Sequence, residues 1–232
     1  MNVQDNRENL AQTAAAALRE DIVGGVLPPG TPLREQHWSE RLEVSRNTLR
    51  EAFRILEAQG LIDHRVHFGA TVHSLAAADI RELYAIRMTL ELHGIRCSAT
   101  ADADAIAGLV DATNQLQNAA LRGEWDRVGT LSLAVHRRIV GFIGSPRLDD
   151  LFSTTAALAR LAFSQAPDAR SFQRPWVVRD VEICALACAG NLREAARALE
   201  LYLVESEELV LAVLRARSVP RPENLFRPDD AA

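Results

Sequence analysis

From Ser74 onward the chain is punctuated by Gly123, by the Gly144-Ser145-Pro146 break and by Gly190, and the stretches between them carry apolar residues at helical spacing. No other feature narrows the fold as much. Helices are expected near 78–99, 102–122, 124–143, 146–166, 174–189 and 191–217. Six helices joined by short loops imply an antiparallel bundle. With 232 residues, 48% hydrophobic and 25% charged, the chain is long enough for that bundle and a second, smaller domain.

The first third reads differently. Residues 9–24 place Leu10, Ala14, Leu18 and Ile22 on one face of a helix that Gly24-Gly25 ends. LPPGTPL, residues 27–33, is a turn-rich connector. Residues 35–42 form a short helix and Glu43-Val44 a turn. Ser45 is a natural N-cap for a helix running to about Gln59, with Leu49, Ala52, Phe53 and Leu56 buried and Gly60 as the stop. Two short alternating segments over 61–73 form a small hairpin. Helix, helix, turn, helix, hairpin is the order of a winged helix-turn-helix. The expected fold class is mostly α, an N-terminal winged helix-turn-helix plus a C-terminal antiparallel all-α bundle. The expected domains are 8–73 for the winged unit, 74–78 for a small-residue linker, 79–217 for the helical unit and 218–232 for a loose, Pro-rich tail.

A helix-turn-helix presents the first residues of its second helix to base edges in the major groove. Here those are Arg46, Asn47, Thr48 and Arg50. Arginine forks onto guanine, asparagine onto adenine, and a threonine hydroxyl bonds a base or a phosphate. Amphipathicity alone would also suit a solvated helix, and the flanking short helix and hairpin are what favour the DNA-reading alternative. The net charge of −5 argues against a nonspecific nucleic-acid coat. All 26 basic residues are arginine. No stretch approaches the roughly 18 apolar residues of a membrane span, and the start MNVQDNRENL lacks an apolar signal core. A cytoplasmic location with reduced Cys97, Cys184 and Cys188 is expected, the last two as small core residues. An enzyme built on the bundle is the competing class. It lacks a Gly-rich phosphate loop, a nucleophile elbow and a full metal triad.

The run Leu33-x-Glu35, Val44-Ser45-Arg46-x-x-x-Arg50-Glu51-Ala52, Leu56-Glu57-x-x-Gly60-Leu61 and Gly69-Ala70-x-Val72 resembles the GntR family of bacterial transcription regulators. The helical part resembles the FCD effector domain of its FadR-like branch, and together the two cover roughly residues 10–215. The resemblance implies a homodimer on a short palindromic operator in double-stranded DNA, a small-molecule effector, and repression more often than activation. By the same resemblance Arg46 and Arg50 read the operator, and Gly69 is the wing-tip glycine in the minor groove. The family's wing carries Pro and Arg before that glycine. Here Val66, His67 and Phe68 stand there, which shifts the minor-groove contact to Arg65 or His67.

In the helical part, Arg87 sits on the stripe Ile80, Leu83, Tyr84, Arg87, Leu90 and needs an anion, since burying a lone charge is expensive. Glu91, at i+4, is one candidate and a ligand carboxylate the other. The resemblance favours the ligand, because Arg87-x-x-x-Glu91 matches a family signature whose arginine faces the effector. His136 lies on the stripe Val128, Leu131, Ser132, Val135, His136, Ile139, Phe142. FCD proteins commonly hold a divalent metal with one Asp and three His. By that resemblance His136 is the first histidine, while Ser132, Asp180 and Tyr202 stand where the other ligands would be. Only one of the four is the usual type, so no metal and no other cofactor is expected, and a degenerate site around His136 remains. Arg87, Ser132, His136, Asp180 and Tyr202 are then expected to bind the effector, with a His136–Asp180 pair in place of the metal's charge. Loss of both the metal and acid recognition would point to a non-acid effector.

Overall fold

The computed structural model describes residues 3–65 and 69–218. Among them the chain runs α1 (Val3–Val23), β1 (Pro32–Leu33), α2 (Glu35–Arg41), α3 (Arg46–Ala58), β2 (Ile62–Arg65), β3 (Gly69–Val72), α4 (Ala77–Cys97), α5 (Ala103–Leu121), α6 (Trp125–Gly141), α7 (Pro146–Phe163), α8 (Ala169–Cys188) and α9 (Leu192–Ser218). The first six elements build a winged helix-turn-helix and the last six an antiparallel bundle, as the punctuation implies.

In the winged unit, Leu18 and Ile22 of α1 are fully buried against Leu49, Ala52, Phe53 and Leu56 of α3. Leu10 departs from the expected stripe: it is 44% exposed, and Ala11 and Ala15 take the inward positions instead. Glu43, at φ 54°, makes the tight turn between α2 and α3 without a glycine. Ser45 then caps α3, its hydroxyl accepting from the Thr48 amide at 3.1 Å. The sheet order is β1-β3-β2, antiparallel throughout. Strand β1 was hidden in the sequence, because two residues inside a proline-rich connector carry no alternation to detect. Register pairs Ile62 with Val72 and Arg65 with Gly69, so β2 and β3 form the wing.

Two helix boundaries differ from expectation. Helix α1 begins at Val3 rather than near residue 9. Helix α8 begins at Ala169 rather than 174, since Asp168 caps it by accepting from the Ser171 amide at 2.8 Å, and Pro175 lies inside the helix instead of opening it. Cys184 is buried as expected, but Cys188 is exposed and is not a core residue. The Pro-rich tail beyond Ser218 lies outside the described residues.

Two packing features position the site. Helices α4 and α6 approach backbone to backbone at Gly94, where a Cβ would sit 2.2 Å from the Ile139 carbonyl oxygen. Helix α7 is the surface on which the winged unit rests. A side chain at Gly25 would touch Ser164 and one at Gly60 would touch Leu158. One contiguous set of buried apolar residues links the two units, from Ala14 in α1 to Val210 in α9.

Candidate functional site

The reading helix presents Arg46, Asn47 and Arg50 on its exposed face. Arg50 is anchored: its Nε donates to both carboxylate oxygens of Glu35, at 2.9 and 3.1 Å. That contact holds the Glu35 carboxyl below the usual range, chiefly through the hydrogen bond from Arg50. The contact uses only Nε of the Arg50 guanidinium, on an exposed side chain. Arg54 is held by Glu51 at 2.7 Å. Helix α2 is fixed by buried Trp38, beneath a guanidinium of Arg41 that also reaches Asp21 of α1 at 3.3 Å.

Thr48 requires a correction. It is 8% exposed, and its hydroxyl lies 2.8 Å from the Ser45 hydroxyl. Its helical position turns it toward α3's buried side, so it completes the cap rather than facing a base. Gly69 is exposed at φ 77° with open space around it, so backbone conformation, not crowding, calls for glycine there. His67 and the side chain of Arg65 lie outside the described residues.

In the helical unit all five expected effector residues converge. Arg87, Ser132, His136, Asp180 and Tyr202 are each buried. Both candidate partners of Arg87 remain relevant. Its Nε donates to Glu91 Oε1 at 2.7 Å, satisfying the internal pairing, yet Nη1 and Nη2 are buried with no hydrogen-bond partner. The other oxygen of Glu91 lies 2.6 Å from His136 Nδ1. On its far side, His136 Nε2 is 3.2 Å from Asp180 Oδ1, within ion-pair range but without the alignment of a hydrogen bond. The result is a buried chain of alternating charge, Arg87, Glu91, His136, Asp180. Beside it the Ser132 and Tyr202 hydroxyls meet at 3.2 Å, and the Tyr202 ring lies between His136 at 4.8 Å and Trp176 at 4.9 Å.

Burial alone would lower the His136 pKa. Glu91, aided by Asp180 and against the repulsion of Arg87, carries it up to about 9. Burial alone would raise Glu91, and Arg87 and His136 bring it below the usual range. Burial, then Asp180, pushes the Tyr202 phenol well up, so it stays neutral. Glu91 as the partner of His136 was missed in the sequence, where i+4 spacing pointed only to Arg87. The signal lay in Gly94. A glycine in mid-helix marks a close crossing, and this one brings α4 near enough to α6 for Glu91 to reach His136.

The donor set is a poor match for a divalent cation. His136 Nδ1 is engaged by Glu91, Ser132 and Tyr202 offer neutral hydroxyls, and the Arg87 guanidinium stands in the same cluster. Among the described residues no group of three or more His, Cys, Asp or Glu side chains is arranged to hold a metal ion. Arg87 Nη1 and Nη2, His136 Nε2 and both Asp180 carboxylate oxygens are buried without an aligned hydrogen bond from the described residues.

A winged helix with a forked cationic face, coupled to a bundle with a buried polar site, defines a DNA-binding regulator that responds to a small molecule. Residues 10–72 match the family described as bacterial regulatory proteins, gntR family, and residues 82–205 match the FCD domain. The chain belongs to the gntR family and carries an FCD domain. It is similar in structure to a protein assigned as a transcriptional regulator GntR from Rhodococcus sp. RHA1, with a TM-score of 0.82 and 33% identity over 87% of this chain and 97% of that one. It is 28% identical to the probable D-xylose utilization operon transcriptional repressor of Paenarthrobacter nicotinovorans, over 77% of this chain and 70% of that protein. The HTH-type transcriptional repressor RspR of Escherichia coli K12 is 41% identical over 36% of each chain. Among the described residues no helix is long and apolar enough to cross a membrane.

Proposed function

We propose that this chain is a metal-free, homodimeric repressor whose effector is a neutral, hydroxyl-rich metabolite bound at the Arg87–Asp180 cluster. The charge balance of that cluster carries the reading. Two cations, Arg87 and protonated His136, face two anions, Glu91 and Asp180, so the site already has its counter-charges. What it lacks are hydrogen bonds: the Arg87 terminal nitrogens ask for acceptors and the Asp180 oxygens ask for donors. A hydroxyl both donates and accepts. A carboxylate would satisfy Arg87 but would face Glu91 and Asp180 with like charge. The Trp176 and Tyr202 rings, 4.9 Å apart, add aromatic surface beside the cluster, where a sugar would have apolar carbon to contact. Similarity to a repressor named for D-xylose utilization supports the same class of ligand and the same sign of regulation.

Homodimerisation is supported by exposed apolar side chains on neighbouring helices, Val178 on α8 and Leu201 and Val204 on α9, which a second copy would cover. Two copies would present two reading helices to a palindrome. No catalytic role is assigned to the cluster, since His136 is buried between the Glu91 and Asp180 carboxylates. A cytoplasmic location follows from the DNA target.

The test uses an operator selected in vitro by the purified protein. Arg46→Ala weakens operator binding by about tenfold or more without changing the fold. D-Xylose, as the neutral probe, releases the operator and D-xylonate does not. Release by the acid alone would overturn the neutral-ligand reading. Elemental analysis of the protein as purified reads the metal, and a near-stoichiometric divalent ion would overturn the metal-free part.

A further inference from the structure

A second cluster of cations lies at the joint between the two units. Arg160 of α7 is 8% exposed. Its Nε donates to the Thr130 hydroxyl at 3.0 Å and its Nη2 to the Asp126 carbonyl oxygen at 2.9 Å. Both partners are neutral atoms, and among the described residues no carboxylate pairs with it. Burial pushes its pKa down, with the charge of nearby Asp126 opposing. Arg19 of α1 has a buried Nε with no hydrogen-bond partner and likewise no ion pair among the described residues. Arg87 differs from both, since Glu91 balances it.

Arg19 and Arg160 line one cavity of about 210 Å³, together with the exposed Arg137 of α6. The rest of its wall is largely apolar, including Val23, Leu133 and Ala157, and neither Asp nor Glu lines it. Asp126 faces a neighbouring cavity on the other side of Arg160, beside Gln173. A buried guanidinium without a counter-ion is costly, and an anion in the cavity removes that cost.

We propose that the joint between the winged unit and the bundle holds a second small-molecule site, for a monoanion with a short apolar body seated among Arg19, Arg137 and Arg160. Three guanidinium groups supply the charge-assisted donors and the aliphatic wall takes the body. The cavity is smaller than the roughly 300–1,000 Å³ of drug-sized sites, so the ligand is small. Arg19 belongs to the helix that packs behind the reading helix, whereas Arg137 and Arg160 belong to the bundle. An anion held by both sides ties the pose of the winged unit to the bundle and so couples to operator affinity.

The full-length protein is titrated calorimetrically with benzoate and hexanoate, and with benzamide as the neutral counterpart of benzoate. At least one carboxylate is expected to saturate one site per chain, with benzamide about tenfold weaker or more. Arg19→Gln, and separately Arg137→Gln, weaken the carboxylate by about tenfold and leave the melting temperature near that of the wild type. These partly exposed positions keep the test open if Arg160→Gln fails to fold. Tyr202→Phe, in the inner cluster, leaves carboxylate affinity as in the wild type, which separates this site from the sugar site proposed above. The proposal is overturned if neither carboxylate saturates at millimolar concentration. It is overturned equally if benzamide binds as well as benzoate, or if Tyr202→Phe removes binding while Arg19→Gln keeps it.

Discussion

The reading helix and the inner cluster solve the same problem, holding arginine in place, by opposite means. On α3, Arg50 leans on Glu35 in solvent, where the pair is screened and each partner can let go. In the bundle, Arg87 and Glu91 are fully buried and joined to His136, and none of the three can leave without stranding the others. The first arrangement orients a side chain and leaves it free to exchange partners. The second fixes a shape.

The sharpest way to break this contrast is Glu91→Ala. It strands Arg87 and His136 together, and urea unfolding is expected to show a loss of about 3–5 kcal/mol. A double replacement, Arg87→Met with Glu91→Leu, removes both charges and should recover much of that loss while abolishing ligand release of the operator. A stable, ligand-responsive double variant would show that the buried pair serves neither shape nor binding.

Next in size is Gly94→Ala. The added methyl collides with backbone at Ile139, which has no side-chain rotamer to give way. A loss of about 1–3 kcal/mol is expected. Because the helices must part, the Glu91–His136 contact lengthens, and the His136 pKa, followed by NMR, should fall below the value of about 9.

His136 makes the contrast visible in pH. Its pKa rises from 6.5 to about 9 in the fold, so the folded state binds the proton more tightly than the unfolded chain does. The groups facing it are Glu91, Asp180, Arg87 and Tyr202. The stability this contributes is complete below about pH 6.5 and is lost as the pH rises through about 9. Denaturation midpoints across that window should decline for the wild type and decline less for His136→Gln.

The smallest effect on stability belongs to Glu35→Gln. Its melting temperature should match the wild type, while nonspecific DNA affinity rises, because a carboxylate that competes with phosphate for Arg50 has gone. Fluorescence anisotropy at two salt concentrations reads this directly. A melting temperature that drops instead would move the Arg50–Glu35 pair into the same class as the buried one.

The winged unit was legible in the sequence because its cues are local. Ser45 as a cap, Gly60 as a stop and the α3 stripe each lie within a few residues of what they determine. Strand β1 was not legible, since its partner Thr71 is far along the chain and two residues hold no pattern. Thr48 shows the limit of reading by residue type: a hydroxyl near a helix start suits both a base and a cap, and only its position on the helix decides. In the bundle, stripes placed Arg87, Ser132 and His136 inward, and the family resemblance grouped Asp180 and Tyr202 with them. The chain of contacts through Glu91 was hidden, because it depends on how closely two helices cross.

That crossing has a mechanical consequence. Where α4 and α6 touch at Gly94 there is no side chain to compress or repack, so the two helices behave as a single plank. The opposite wall of the cluster, α8 and α9, which carry Asp180 and Tyr202, has among the described residues no such backbone contact with α4 at Gly94. At the end of α9, Arg217 donates to the Gln165 carbonyl in the turn after α7, beside the Ser164 that a side chain at Gly25 of the winged unit would touch.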